Sequence, residues 1–243
     1  MNHTTRRTQT FIRMMVLASI ASTIYAGLGS HTVHPFYALA LLALAAATSR
    51  MKVRLPGIEG NMSVNLPFLL LAVVNLSAAE AILVASVSTA VQCWPQPSKK
   101  FRPEQMVFNV SMMAFAASMA NLIWNASWLA KATSASLPLT LSATTAAFFL
   151  GQTVPVAAVI KLSESTSMRR AWVGIVQLSF PYYVVSAGIT SMLSLVSHRF
   201  GWQAAVVAFP VMYGIHHSYR LYFGRVAEAL RTSPLSRTAS AGA

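Results

Sequence analysis

The chain has 243 residues, 55% of them hydrophobic and only 9% charged, which argues against a soluble domain and places it among all-α integral membrane proteins. Its 18 Lys and Arg stand against 5 acidic residues, all Glu, for a formal net charge of +13. The cations fall in short clusters between apolar runs rather than on one face, so they speak for orientation in a bilayer and not for nucleic acid.

Apolar runs lie at 11–28, 35–49, 62–76, 78–94, 105–128, 137–160, 171–196 and 202–218. They predict about eight membrane helices. A full crossing takes about 20 residues and the second and third runs have only about 15, so 62–94 is alternatively a re-entrant pair, leaving six spans. The domain reading is a cytoplasmic tail at 1–10, a polytopic membrane domain at 11–218, a cytoplasmic helix at 219–231 continuing the last span, and a disordered tail at 232–243.

The first run follows "TRRTQTFIR" and reads as a retained anchor rather than a cleaved signal. Ala18, Ser22 and Ala26 recur every four residues and form a helix-packing stripe, for use inside the chain or with a partner. Next, "KVRLPGIEGNMSVN" at 52–65 alternates polar and apolar residues on both sides of Pro56-Gly57 and Glu59-Gly60-Asn61, as in a small β-hairpin. Two readings of it stand. One is the structured floor of a site formed by later helices, with its extended backbone paired or covered. The other is a simple loop.

Ser77 and Glu80 have the spacing of a capping box, which accounts for this carboxylate without proton chemistry. Beyond it, amides recur at membrane depth. Asn65, Gln92, Asn109, Gln152 and Gln177, with the hydroxyl of Tyr183, are the candidate ligand pocket; Asn75, Asn121 and Tyr182 lie at similar depth. Such groups serve either as bonds between helices or as a cavity lining. Gln152 precedes Pro155, Gln177 precedes Pro181, and Pro210 interrupts the last run, so bent helices with freed carbonyls favour the cavity. No Asp or Lys lies mid-span, which argues against a proton pump or ion-coupled carrier and leaves an uncharged small molecule as the ligand.

With a cytoplasmic N-terminus, every Lys and Arg except Lys131 and Arg199 falls on the inner side, and both termini are cytoplasmic. Trp94, Trp124, Trp128, Trp172 and Trp202 each fall near a span end, as interfacial indoles do. His31, His34 and His198 fall outside, too scattered to be metal ligands. No phosphate loop, nucleophile elbow or Cys/His metal spacing is present. The expectation is therefore a chain without catalytic residues, metal or cofactor.

From "KVRLPGIEGNMSVNLPFLLLAVVNLSAAEAILVASVSTAVQ" through "PEQMVFNVSMMAFAASMANLIW" to "YRLYFGRVAEAL", the chain resembles the multi-pass N-terminal sensor modules of bacterial HD-GYP and GGDEF signalling proteins. Here "SPLSRTASAGA" stands where those proteins carry an output domain. The resemblance implies a non-enzymatic sensor or ligand-binding module of the bacterial inner membrane, signalling to a separate cytoplasmic protein through the helix at 219–231. Residues 60–128 are also similar to the substrate-binding subunits of energy-coupling-factor vitamin transporters. That likeness implies a transport subunit whose small-residue stripe meets a coupling subunit and its ATPase.

Overall fold

The basic stretch ahead of the first apolar run does not break from it: helix α1 spans His3–Gly29, so most of the segment read as a tail is helical. The structure, a computed structural model, describes residues 3–29, 34–54, 61–94, 103–127, 137–163, 167–200, 203, 206–207, 209–214, 216–218, 221 and 225. After α1 come α2 at Pro35–Ser49, strands β1 at Lys52–Arg54 and β2 at Asn61–Ser63, then α3 at Leu66–Asn75 and α4 at Ala78–Cys93. Helix α5 follows at Pro103–Trp124, α6 at Leu137–Ser163 and α7 at Met168–Phe200.

Among the described residues, four helices, at 6–28, 103–124, 137–163 and 168–196, are long and apolar enough to cross a membrane, whereas α2, α3 and α4 are shorter apolar helices, as the short second and third runs led one to expect. The eighth, at 202–218, is helical at 209–214 and 216–218. Of the outgoing helix at 219–231 only Leu221 and Arg225 are described, and the tail at 232–243 lies outside the described residues.

The third run changes most. Its first residues join β2, which pairs antiparallel with β1 in the register Lys52↔Ser63, Val53↔Met62 and Arg54↔Asn61. The hairpin reading therefore holds over the loop reading, although the connection at 55–60 lies outside the described residues. Pairing satisfies backbone groups that lipid cannot. Helix α3 is left with 10 residues, about 15 Å at 1.5 Å per residue. Its start is fixed by Pro67 in the first turn, where the missing N–H costs nothing.

Helix α5 is the hub, with α1, α4 and α6 packed around it; α2 lies on α4 and α3, and α7 on α6 and α3. The α5–α6 crossing needs a glycine. A Cβ on Gly151 would stand 2.9 Å from the Ala116 Cα, so only a hydrogen there lets the backbones meet this closely. On α1, Met15, Ser19 and Ala26 are buried, with Ala18 and Ser22 half-buried, while Met14, Leu17, Ile24 and Leu28 are exposed.

The two ends of the bundle differ in chemistry. Gln9 of α1 reaches Glu104 at the start of α5, at 3.5 Å, and Arg6 and Arg7 line a crevice with Leu162 near the end of α6. Lys161, Arg169 and Arg170 border the same α6–α7 turn, exposed. At the other end, Tyr25 and Leu28 of α1, His34, the α3–α4 turn and Asn121 and Asn125 of α5 surround one depression whose lining, among the described residues, has no Lys, Arg, Asp or Glu.

Candidate functional site: a polar junction on helix α7 and the groove beside it

Every fourth residue of α7 between 182 and 194 carries a hydroxyl: Tyr182, Ser186, Thr190 and Ser194. All four are buried, and α7 is otherwise studded with exposed Phe180, Val184, Val185, Met192 and Leu195. Four-residue spacing puts the hydroxyls on one face. Two of them take hold of α3. The Leu66 N–H donates to the Tyr182 hydroxyl at 3.1 Å, and the Thr190 hydroxyl donates to the Pro67 carbonyl at 3.4 Å. The first turn of α3 thus ends against the middle of α7.

Asn65 caps this junction. Its Oδ1 accepts from the Ser63 hydroxyl at 2.8 Å, while its Nδ2, buried, finds no partner among the described residues. Ser186, wholly buried between the two bonding rungs, is likewise without a partner for its hydroxyl. Unmatched donors in a water-free interior are costly and call for a third party. On the neighbouring side of α7 the Tyr183 hydroxyl donates to Gln152 Oε1 of α6, and its ring meets Tyr182 at a centroid distance of 6.3 Å.

The ring of Tyr183 also walls a half-open groove between α6 and α7, of about 490 Å³. Phe149 stands edge-on to Tyr183 at 4.8 Å and to Phe180 at 6.3 Å, giving the groove an aromatic base. Small residues, Ala146, Ala187 and Gly188, leave the space, and Ser142, Thr145 and Ser191 supply its hydroxyls. The Thr145 hydroxyl is buried and makes no hydrogen bond among the described residues. A mostly apolar cleft of several hundred Å³ with a few placed polar groups is what binds small organic molecules.

The candidate pocket read from the sequence is divided by the structure. Asn65, Gln152 and Tyr183 gather along the middle of α7. Asn109 lies elsewhere, donating to the Cys93 Sγ at 3.4 Å where α4 ends beside α5, with Gln92 next to it in α4. Gln177 is exposed on α7, on a different face from Tyr182 and Ser186. These three are therefore not part of one pocket with the others. Ser186, Thr190 and Thr145 were missed, though the four-residue recurrence of hydroxyls on α7 is a signal that finds the first two.

Glu80 does form the expected box: its Oε2 accepts from the Ser77 N–H at 3.0 Å and hydroxyl at 2.7 Å, and the Ser77 hydroxyl accepts from the Glu80 N–H. Its other oxygen, Oε1, accepts from the His34 N–H at 2.8 Å, tying the start of α2 to α4. Architecture and site together define a helical protein of membrane type with a polar junction at its centre. Comparison with protein-family models, with curated proteins and with solved structures gives no match.

Proposed function

We propose that this chain is a non-enzymatic binding module of the bacterial inner membrane, whose ligand is an uncharged, largely apolar small molecule held in the α6–α7 groove. The observation that carries the reading is the double position of the Tyr182–Tyr183 pair. One tyrosine walls the groove and bonds Gln152, while the other holds the N-terminus of α3. A molecule pressing on the first ring alters the seat of the second, so occupancy is felt by α3 and the hairpin before it. Absence of Asp, Glu, Lys and Arg from the described residues of the groove lining favours a neutral ligand, since an unpaired charge there would be unsolvated.

The proposal places the end bearing Arg6, Arg7, Lys161, Arg169 and Arg170 in the cytoplasm, following the positive-inside rule, with both termini on that side. The chain then passes its state to a separate signalling protein through residues 219–231. The rival, a subunit delivering its ligand to a transporter ATPase, drew on Ala18, Ser22 and Ala26. Ala18 and Ser22 are half-buried and Ala26 is buried, and substituting Leu at these three positions tests whether a coupling partner depends on them.

Native mass spectrometry of the full chain released from nanodiscs tests the reading. Gly188→Phe fills the groove from a position where an added Cβ meets nothing within 4 Å, and thermal unfolding alongside the wild type checks that the variant folds. The wild type should retain a neutral molecule that the variant loses. Equal retention by both proteins, or none by the wild type taken straight from its native membrane, defeats the proposal.

A further inference from the structure

The depression at the end of the bundle away from the cationic clusters is a cup of about 580 Å³, and it shares no lining residue with the α6–α7 groove. Its polar wall is made by Asn75, Ser77, Ser118, Asn121 and Asn125, and Tyr25 and Leu122 stand at its mouth, both exposed.

The hydrogen bonds in this wall leave polar groups of both kinds over. Asn75 Nδ2 donates to the Leu71 carbonyl at 3.1 Å, and Asn121 Nδ2 donates to the Val73 carbonyl at 3.3 Å. Asn125 Nδ2 donates to the carbonyl and to the Oδ1 of Asn121, both at 3.0 Å. Ser77 is consumed by Glu80, and both Glu80 oxygens are consumed in turn by Ser77 and the His34 N–H. Asn75 and Asn121 thus each spend one amide N–H on a backbone carbonyl and keep a second. The Oδ1 atoms of Asn75 and Asn125 accept from no described residue. Ser118 is only 4% exposed, lines the cup, and its hydroxyl has no partner among the described residues.

We infer that this cup is a second binding site, for an uncharged small molecule rich in hydroxyl groups, of the polyol or sugar class. Its described lining holds no Lys or Arg to pair an anion and no Asp or Glu to pair a cation. Hydroxyl groups, which donate and accept, suit a wall that keeps both free oxygens and free N–H groups. An exposed tyrosine and leucine at the mouth suit the apolar faces of such rings.

The full chain in nanodiscs is titrated calorimetrically, at constant salt, with glucose, myo-inositol and glycerol as neutral probes. Glucosamine and gluconate serve as size-matched cation and anion. At least one neutral probe should bind saturably, with both charged analogues at least roughly tenfold weaker, given that each 1.4 kcal/mol is a factor of ten. Ser118→Ala should weaken binding by roughly fivefold through one lost hydrogen bond. Leu122→Trp, which blocks the mouth without touching the bonded amides, should abolish it. Gly188→Phe should leave it unchanged, separating this site from the groove. No saturable binding by any neutral probe, equal binding of a charged analogue, or unchanged affinity in both Ser118→Ala and Leu122→Trp overturns the assignment.

Discussion

Gln152 and Gln177 look alike in the sequence, each shortly before a proline inside an apolar helix, yet they meet opposite fates. Gln152 accepts the Tyr183 hydroxyl, and Gln177 faces outward. Gln152→Leu should therefore lower stability by about 1–3 kcal/mol, the cost of leaving a buried donor unmatched. Gln177→Leu should change it by less than about 0.5 kcal/mol, like other exposed substitutions. Thermal unfolding in one detergent distinguishes the two. Along the hydroxyl ladder the contrast reverses. Ser186→Ala removes a buried group without a partner and should raise stability of the ligand-free chain by about 1 kcal/mol. Thr190→Ala, which frees the Pro67 carbonyl, should lower it by a similar amount. Which polar residues matter was only half legible, because a membrane helix is apolar on all sides and no amphipathic period marks the face that turns inward. Glu80 was legible because its partner Ser77 lies in the same turn.

Helices α5 and α6 show how an element is held without a hydrophobic driving force between them: their backbones close on each other where Ala116 meets Gly151. Gly151→Ala should cost about 1–3 kcal/mol through forced separation of the pair. Gly188→Ala, with open space around its Cβ, should cost little, and a shared denaturation series compares them. Helix α3 is the element the sequence describes least well. Hydropathy sums apolar residues whether they lie in a strand or a helix, so Met62 to Leu76 reads as one run, and only the alternation before Leu66 hints at the break. The hairpin itself was legible from alternation and turn residues together, since both depend on neighbours along the chain. The docking of α3 on α7 was not, for it depends on residues more than 110 positions away.

At the scale of the molecule, the sorting of charge that the sequence displays in one dimension corresponds to two chemically distinct ends. Arg6 and Arg169 border one; His34 and Asn125 line the cup at the other. Single cysteines placed at each of these four positions in a Cys93→Ser background test this in intact cells with a membrane-impermeant maleimide. His34→Cys and Asn125→Cys should label from outside, and Arg6→Cys and Arg169→Cys only after permeabilisation; any mixing within a pair contradicts the arrangement. Composition and run order sufficed for the class of protein, and the short second run was legible because helix α2 has its length. The third was not, because length of apolar sequence and length of helix part company at α3, where the first residues of the run join β2.

The short helix α3 also bears on how the chain is made. Leu66 leaves the ribosome 116 residues before the tyrosine that accepts its N–H, and Pro67 precedes Thr190 by 123. During synthesis the half-length segment can pack on α2, α4 and α5 but lacks its partner on α7. Its first turn is pinned only after α7 has been translated, so nascent chains halted within α6 should show the hairpin and the start of α3 more open to proteases than α1, α4 and α5.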